Sequence, residues 1–447
     1  MATWLNKWTP EDPQFWNNEG SRTAWRTLTV TTFALILSFS TWFMMSAIAV
    51  KLPGIGFKFD KDQLFWLTAM PGLAAGILRM IHTFLLPIFG SRHVITISTI
   101  IKLIPCIGIG LAVMDPATPF WVFMVLAFTA GFGGGDFSSY MPSTSLFFPK
   151  RLQGTALGIQ AGIGNFGVSV AQFVTPAILG VATYGAAEVF TKTNPKTKEV
   201  LGTSQIYLQS AAFWYVPLLI ILAIAAWFLI KSIPVKASFK EQLDIFKSKH
   251  TWFCTITYVM TFGGFSGLAA IFPLMIKIIY GDFPNAPDPL KYAFLGPLIG
   301  AGSRVLFGFV ADKVGGAILT TLTGIALIIG CVAMVQMGLL TPTSVDQFPS
   351  FLYLMLFLFF ITGMGNAATF RQYPIIFGSN ARQAAGVIGF TAAIAAFGPF
   401  IFSTSVSAVM KSTGNANAFF YAIAVFFAFA TIINWWYYTR KGCERPS

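Results

Sequence analysis

The chain is poor in charge, since Asp, Glu, Lys and Arg make up only 10% of its 447 residues. Soluble domains typically contain about 25% of these residues, and so few charges cannot coat a globule of this size. This argues against a soluble enzyme or a string of soluble modules. Acidic residues are the scarcer kind, with 16 Asp and Glu against 29 Lys and Arg. We attribute the basic excess to loops on the cytoplasmic side of a membrane rather than to nucleic-acid binding.

Cysteine is also rare, and the four cysteines are too scattered for a zinc motif or a disulfide framework. The polar segments contain no nucleophile–histidine arrangement and no phosphate-binding motif. We therefore predict that the protein is not an enzyme and that it holds no metal or other cofactor.

Apolar sequence is abundant, at 55% of all residues, and it falls into twelve long runs. A helix needs roughly 20 mostly apolar residues to cross about 30 Å of hydrocarbon. We therefore predict an all-α polytopic membrane protein. The predicted spans are Leu28–Val50, Gln63–Phe89, Val94–Met114, Trp121–Phe147, Gly154–Tyr184, Ala211–Ile230, Trp252–Ile276, Tyr292–Ala311, Ala317–Leu339, Pro349–Phe377, Ala384–Met410 and Ala418–Tyr438.

A polar stretch divides the twelve spans into two groups of six. It covers residues 231–251, and we predict a six-helix bundle on either side of it, at 28–230 and 252–438. The remaining segments, 1–27 and 439–447, are tails. Most Lys and Arg residues between the spans fall on the same side as these tails. By the positive-inside rule, both termini and the polar stretch are therefore expected in the cytoplasm.

The two groups of spans repeat one another in sequence. Arg79 lies 11 residues before Gly90 in the second run, and Arg304 lies 11 residues before Gly315 in the eighth. The segment GGGDF in the fourth run corresponds to NAATF in the tenth. A glycine–phenylalanine pattern in the fifth run returns 231 residues later in the eleventh. We interpret this as two pseudo-symmetric bundles with a substrate site between them, near mid-membrane.

Arg79 and Arg304 are isolated cations in apolar runs that contain no acidic residue. Eleven residues at about 1.5 Å each place them roughly 16 Å from the ends of their helices. An ionised group at that depth costs at least ~2.5–3.5 kcal/mol, so it tends to face a cavity or a partner. Guanidinium groups bind planar oxyanions through two parallel hydrogen bonds. We predict that the two arginines form an anion clamp; the alternative is that each caps backbone carbonyls.

Other charged residues inside the spans are Lys102, Asp136 and Arg371. Asp136 and Arg371 occupy nearby repeat positions, and we hypothesise that they pair across the two halves; alternatively, each joins a local polar network. His82, three residues after the first arginine, lies on the same helix face and is a second candidate for proton uptake. We predict gating or coupling roles for Asp136, Arg371, His82 and Phe370. Lys102 is left without a role.

Polar and aromatic residues beside these charges complete the predicted site. Asn165 and Tyr258 can offer hydrogen bonds, while Phe137 and Phe262 can flank a flat anion and exclude water. A dry site has a lower effective dielectric, which strengthens the arginine contacts. Glycines in the same spans let helices approach closely. The predicted packing glycines are Gly158, Gly162, Gly164, Gly167, Gly389 and Gly398.

Short motifs along nearly the whole chain resemble those of the nitrate/nitrite porters of the NarK type, within the major facilitator superfamily. In the first half these motifs are WTPEDPQFW, FDKDQLFWLTAMP, GILR, PIFGSR, FFPKRLQGTALG and GNFGVS; the second half carries YVMTFGGF, GSR and ADKVGG. The GNFG element resembles the family's nitrate signature. Asp136 and Arg371 depart from the uncharged residues usual in the family, as do Ala395 and Pro399 from its glycines.

The resemblance implies a major facilitator fold whose two bundles rock about a central anion. It matches Arg79 and Arg304 to the family's substrate-binding arginines. It also matches the flanking aromatics to Phe137 and Phe262, and the polar lining to Tyr258 and Asn165.

We therefore expect a monomeric secondary transporter in the inner membrane of a bacterium, exchanging nitrate and nitrite by alternating access. Its expected partners are these anions and lipid, and not nucleic acid. Uncompensated positive charge would keep the halves from closing over an empty site. Three alternatives stay open: proton symport through Asp136 or His82, transport of another small anion such as an organic one, and a passive anion channel.

Overall fold

A computed structural model of the chain describes residues 4–193, 200–233, 243–378 and 381–447. Twelve helices in this part of the chain are long and apolar enough to cross a membrane, as predicted. They are α1 (Pro13–Ile48), α2 (Lys61–Thr83), α3 (Ile88–Ala112), α4 (Phe120–Phe147), α5 (Thr155–Ile178), α6 (Ser210–Leu229), α7 (Lys249–Tyr280), α8 (Pro289–Ala311), α9 (Gly316–Gln336), α10 (Val345–Ile376), α11 (Gly386–Thr413) and α12 (Asn417–Thr439).

The helices form two six-helix bundles, α1–α6 and α7–α12. The halves meet along α2 with α11 and along α5 with α8, which are equivalent pairs in the repeat. Helical geometry runs through Lys61–Ile101 but is interrupted at Gly90, where φ is +76°. Gly315, between α8 and α9, has φ +97°. Both chain reversals use the left-handed region that favours glycine, as the repeat in sequence suggested.

Two spans are not continuous α-helices. In α4, the segments Phe120–Ala130, Phe132–Gly135 and Phe137–Phe147 follow one another with breaks between them. In α7, a π-helical turn at Val259–Gly263 separates two α-helical segments. Such irregularities inside helices often mark functional positions. Both interruptions lie beside residues of the predicted site.

Several predicted boundaries differ from the structure. The fifth span was expected to reach Tyr184, but α5 ends at Ile178 and is followed by an antiparallel hairpin, β1 (Glu188–Thr193) and β2 (Val200–Ile206). Neither strand contains an apolar run long enough to cross a membrane, so the sequence predicted no element there. Residues 234–242 of the predicted linker at 231–251 lie outside the described residues.

The seventh span also extends further than predicted. It was expected to end at Ile276, whereas α7 continues to Tyr280 and therefore contains Lys277. The Lys277 ammonium group donates a hydrogen bond to the carbonyl oxygen of Val50, in the other half. This bond satisfies a basic group at the end of an otherwise apolar helix.

The two faces of the molecule can be told apart by what they carry. We use "terminal face" for the one with both tails and "hairpin face" for the one with β1 and β2. On the hairpin face, side-chain contacts join the halves. These hairpin-face contacts are Lys51 Nζ–Asp288 Oδ2 at 3.5 Å, Ser407 Oγ–Asp62 Oδ1 at 2.6 Å, Lys411 Nζ–Asp62 Oδ2 at 3.9 Å, and Lys277 with Val50. The halves are thus held together on this face.

Candidate functional site

Arg79 in α2 is fully buried and its guanidinium group is held by backbone carbonyls from both halves. Its Nε donates to the carbonyl oxygen of Gly134 at 2.7 Å, in the same half. Its Nη1 donates to the carbonyl oxygen of Ala392 at 2.8 Å, in α11 of the other half. Its Nη2 makes no hydrogen bond to the described residues. One edge of the guanidinium is therefore anchored, and one donor group is left over.

Aromatic rings surround this anchored group. The Arg79 Cζ atom lies 4.9 Å from the Phe137 ring centroid and 5.2 Å from that of Phe262, in the other half. The rings of Trp42 and Phe39 lie at 5.3 and 5.9 Å. Contacts between a guanidinium and ring faces are favourable, more so where water is excluded.

Arg304 in α8 is 6% exposed, and its guanidinium has far fewer partners. Its Cζ atom lies 4.7 Å from the Phe370 ring centroid. Neither Nη1 nor Nη2 makes a hydrogen bond to the part of the chain that the structure describes. Within the same residues, no carboxylate forms an ion pair with Arg304 or with Arg79. Arg304 therefore presents two buried, unpartnered donor groups.

Four aromatic residues connect the two arginines, and we define Phe137, Tyr258, Phe262 and Phe370 as the ring cluster. Tyr258 is nearly parallel to Phe262, with centroids 5.4 Å apart and an angle of 6°, and to Phe370, at 5.0 Å and 13°. Phe137 approaches Phe370 across the halves at 6.5 Å. Because Arg79 contacts one part of this cluster and Arg304 another, the predicted arginines and aromatics converge on one buried region.

Asn165 in α5 is buried, and neither atom of its amide group has a hydrogen bond among the described residues. Gly162 lies one turn earlier in α5, and a Cβ atom placed there would approach Val305 within 2.8 Å. Residues three positions apart lie on one helix face. The amide of Asn165 is therefore on the face of α5 that packs against α8. The α8 residue in this contact, Val305, directly follows Arg304 in the sequence.

The predicted packing glycines divide into two groups. A Cβ atom at Gly162, Gly164, Gly167 or Gly398 would lie within 2.8 Å of a neighbouring helix, so these glycines do permit close approach. The prediction is wrong for Gly158, which has no neighbouring atom within 4 Å, and for Gly389, whose nearest neighbour is at 4.0 Å.

The hypothesis that Asp136 pairs with Arg371 is wrong. The Asp136 carboxylate is fully buried and forms an ion pair with Lys102 of α3, in the same half, and accepts a hydrogen bond from Ser38 Oγ at 2.6 Å. The side chain of Arg371 is exposed. A buried ion needs its partner within contact distance, and the nearest helices of the same bundle supply that partner.

His82 lies near this ion pair. Its Nδ1 is 3.0 Å from Ser139 Oγ and 3.8 Å from Asp136 Oδ1. The contact with the Ser139 hydroxyl is therefore shorter than the contact with the Asp136 carboxylate.

Sequence reasoning missed Lys102 and the carbonyls of Gly134 and Ala392. Lys102 and Asp136 are single opposite charges in consecutive apolar runs of one half, and that signal was available. The sequence repeat instead favoured a pair between the two halves. Every residue has a backbone carbonyl, so the sequence does not identify the carbonyls that bind Arg79. The one indication is GGGDF, whose glycines allow α2 and α4 to approach. Within the described residues, no cluster of His, Cys, Asp and Glu is suited to a metal ion.

The chain matches the model of the Major Facilitator Superfamily over residues 31–403. It is 55% identical over 450 residues to the probable nitrate/nitrite antiporter NarK2 of Thermus thermophilus, with 100% of this chain and 98% of that protein covered. It is 36% identical over 457 residues to the nitrate/nitrite transporter NarU of Escherichia coli strain K12, with 98% and 96% covered.

The fold resembles that of a bacterial homolog of the human lysosomal transporter Spinster, crystallised in an inward-facing and unoccupied conformation. The TM-score is 0.65 at 15% identity, covering 92% of this chain and 96% of that one. This likeness concerns the fold. Together with the family match and the full-length relatives, it agrees with the prediction of a multi-pass transport protein rather than an enzyme. The chain belongs to the nitrate/nitrite porters of the Major Facilitator Superfamily.

Proposed function

We propose that the chain exchanges nitrate and nitrite across a bacterial inner membrane, with Arg79 and Arg304 binding the anion from opposite halves. One observation carries the proposal. Both buried guanidinium groups contact the same ring cluster, retain unpartnered donors, and have no carboxylate partner in the described chain. The identity of the anion rests on the relatives, which are named as nitrate/nitrite antiporters and transporters.

In this proposal, Arg304 supplies two donor groups and Arg79 supplies its remaining Nη2. The Tyr258 hydroxyl, which has no hydrogen bond within the described residues, and the amide of Asn165 add neutral donors. The ring cluster keeps water away from the anion. A lower effective dielectric then strengthens each charge-assisted hydrogen bond.

Exchange follows from the charge of the empty site. Two guanidinium groups without a counter-ion repel each other, and this repulsion opposes closure of the halves over an unloaded site. A bound nitrate or nitrite contributes one negative charge and lowers the repulsion. The halves therefore change orientation with an anion bound and return only with another, which is the definition of exchange.

The Lys102–Asp136 ion pair favours exchange over proton symport. Asp136 is bonded to an ammonium group and a hydroxyl, so protonating it would leave Lys102 as a buried, uncompensated charge. His82 contacts the Ser139 hydroxyl. Both candidate proton acceptors, Asp136 and His82, thus contact groups other than those proposed to bind the anion.

The proposal also covers the placement of the chain. Both termini lie in the cytoplasm, and the bundles at 28–230 and 252–438 are the moving domains. One chain contributes both arginines, so a monomer is sufficient for transport.

Counterflow in proteoliposomes tests the proposal. Vesicles containing the purified chain are loaded with nitrite and placed in isotopically labelled nitrate. We expect saturable uptake that requires an internal anion and is unchanged by a pH gradient of either sign. Arg304→Lys should lower this uptake by about 100-fold. Arg440→Lys, which alters an arginine on the terminal face that stacks on Trp436, should leave it intact.

Each alternative has its own signature in the same assay. Uptake into vesicles without internal anion that follows an imposed pH gradient would replace exchange by proton symport. Competition by carboxylates stronger than that by nitrite would indicate an organic-anion porter. Flux that does not saturate would indicate a channel.

A further inference from the structure

The ion pair between Lys102 and Asp136 has no direct role in the anion binding proposed above. Both side chains are fully buried, and Ser38 in α1 also binds the Asp136 carboxylate. Asp136 stands at the break in α4, between Phe132–Gly135 and Phe137–Phe147. The carboxylate thus ties the break in α4 to both α1 and α3.

The same break supplies the anchor of Arg79. Gly134 is in the last turn before the break, two residues ahead of Asp136, and its carbonyl accepts the bond from Arg79 Nε at 2.7 Å. Asp136 keeps helical backbone angles at the break, with φ −57° and ψ −30°. The Gly134 carbonyl therefore belongs to the same part of α4 that the Asp136 carboxylate ties to α1 and α3.

We infer that Lys102 and Asp136 act as a positioning pair that fixes the break in α4 and, through the Gly134 carbonyl, the orientation of the Arg79 guanidinium. This inference rests on the proposed role of Arg79 in anion binding. Neither member of the pair touches the anion in this account.

The second half of the molecule provides the comparison. Applying the spacing of Arg79 to Arg304, the equivalent of Lys102 is Leu327, and aligning Phe137 with Phe370 makes Thr369 the equivalent of Asp136. Both are buried, and the Thr369 hydroxyl bonds to a carbonyl of its own helix. The fold therefore tolerates a neutral pair at these positions. In that half, both Nη groups of the arginine lack a hydrogen bond within the described chain.

General energetics point the same way. Replacing a buried ion pair by well-packed neutral residues is often neutral or stabilising, so such a pair is weak evidence for stability. The contribution of such a pair is then to the positions of the groups around it. A displacement of about 1 Å in a group that contacts substrate can lower activity by about 100-fold.

The test replaces the pair by the residues of the other half. In Lys102→Leu/Asp136→Thr the charges are removed together, so we expect a melting temperature close to that of the original chain. The KM for nitrate in counterflow should nevertheless rise about tenfold, because Arg79 is less well oriented. Leu327→Met, at the equivalent position of the other half, is the matched control and should change neither quantity.

Two further variants keep the test decisive. Asp136→Asn leaves Lys102 unpaired and should both lower the melting temperature and raise the KM. Lys102→Arg preserves the ion pair and should keep the KM within about twofold, as for a conservative rescue. If the double variant does not fold, comparing the KM of Lys102→Arg with that of Asp136→Asn tests the inference.

A double variant with the original KM would overturn the inference and leave the pair a purely structural feature. Equal KM values for Lys102→Arg and Asp136→Asn would do the same. The proposed function fails separately, if the unmodified chain does not exchange nitrate. In that case the KM values of the variants are compared for the anion that the unmodified chain does transport.

Discussion

The two central arginines occupy equivalent positions in the repeat, yet their surroundings differ. Arg79 donates to two backbone carbonyls and lies among four aromatic rings. Arg304 has one ring and two unpartnered donor groups within the described chain. The comparison teaches that one pseudo-symmetric scaffold has produced a fixed guanidinium in the first half and an available one in the second.

The helices that neighbour the arginines show how this difference arose. Where α4 carries Gly133, Gly134 and Gly135, α10 carries Asn366 and two alanines. A Cβ atom at Gly133 would lie 2.0 Å from the carbonyl oxygen of Ser38, and one at Gly134 would lie 2.4 Å from Ala75. Close packing of α4 against α1 and α2 is therefore possible only without side chains. The first half uses this proximity to hold its arginine.

The largest expected effects come from replacing either arginine by lysine. Both Arg79→Lys and Arg304→Lys should lower nitrate exchange by about 100-fold, because an ammonium group cannot reproduce the planar fork. Arg79→Lys should in addition lower the melting temperature, since the Gly134 and Ala392 carbonyls lose their donor. Thermal unfolding of the purified variants separates the two. Equal melting temperatures would contradict the distinction between a fixed and an available arginine.

A large effect on stability is expected at Gly133. Gly133→Ala should destabilise the protein by about 1–3 kcal/mol or more, because the added methyl group overlaps the Ser38 carbonyl. Gly158→Ala, at a glycine with no neighbour within 4 Å, is the matched control and should be neutral or slightly stabilising. Detergent-solubilised variants can be compared by their melting temperatures. If Gly133→Ala were as stable as the control, close packing of α4 would not explain the asymmetry.

The smallest expected effects concern the rings. Phe370→Leu removes the ring nearest to Arg304, whereas Phe39→Leu leaves three of the four around Arg79. A cation–π contact contributes about 0.5–2 kcal/mol. We expect the KM for nitrate to rise severalfold in Phe370→Leu and to change by less than about twofold in Phe39→Leu. The reverse order in counterflow would show that Arg304 depends less on its surroundings than Arg79.

The sequence was sufficient for much of the fold and for part of the site. Twelve apolar runs predict twelve spans because membrane thickness fixes helix length. The equal spacing from Arg79 to Gly90 and from Arg304 to Gly315 predicts the repeat. In the structure both glycines have positive φ where the chain reverses. Isolated cations in apolar runs identify a polar site since few other positions tolerate them.

The remaining features depend on how each helix is rotated and on which helices touch. Asp136 was paired with Arg371 because the repeat placed both near one height, but contact with Lys102 depends on α3 and α4 packing within one half. Gly158 has no neighbouring atom within 4 Å, and a glycine pattern does not reveal which glycines face a neighbouring helix. The interruptions of α4 and α7 were not predicted, because the apolar runs that contain them are continuous.

The hairpin-face contacts have a consequence for the medium in which the protein works. The side chain of Lys411 is 76% exposed and that of Asp62 is 36% exposed, and mobile ions screen such groups over about 10 Å at 0.1 M salt. Arg79 and Ala392, in contrast, meet where electrolyte does not penetrate. Raising salinity on the hairpin side alone should therefore ease parting of the halves there, so that ionic strength on that side becomes a control on how often the carrier opens towards the hairpin face.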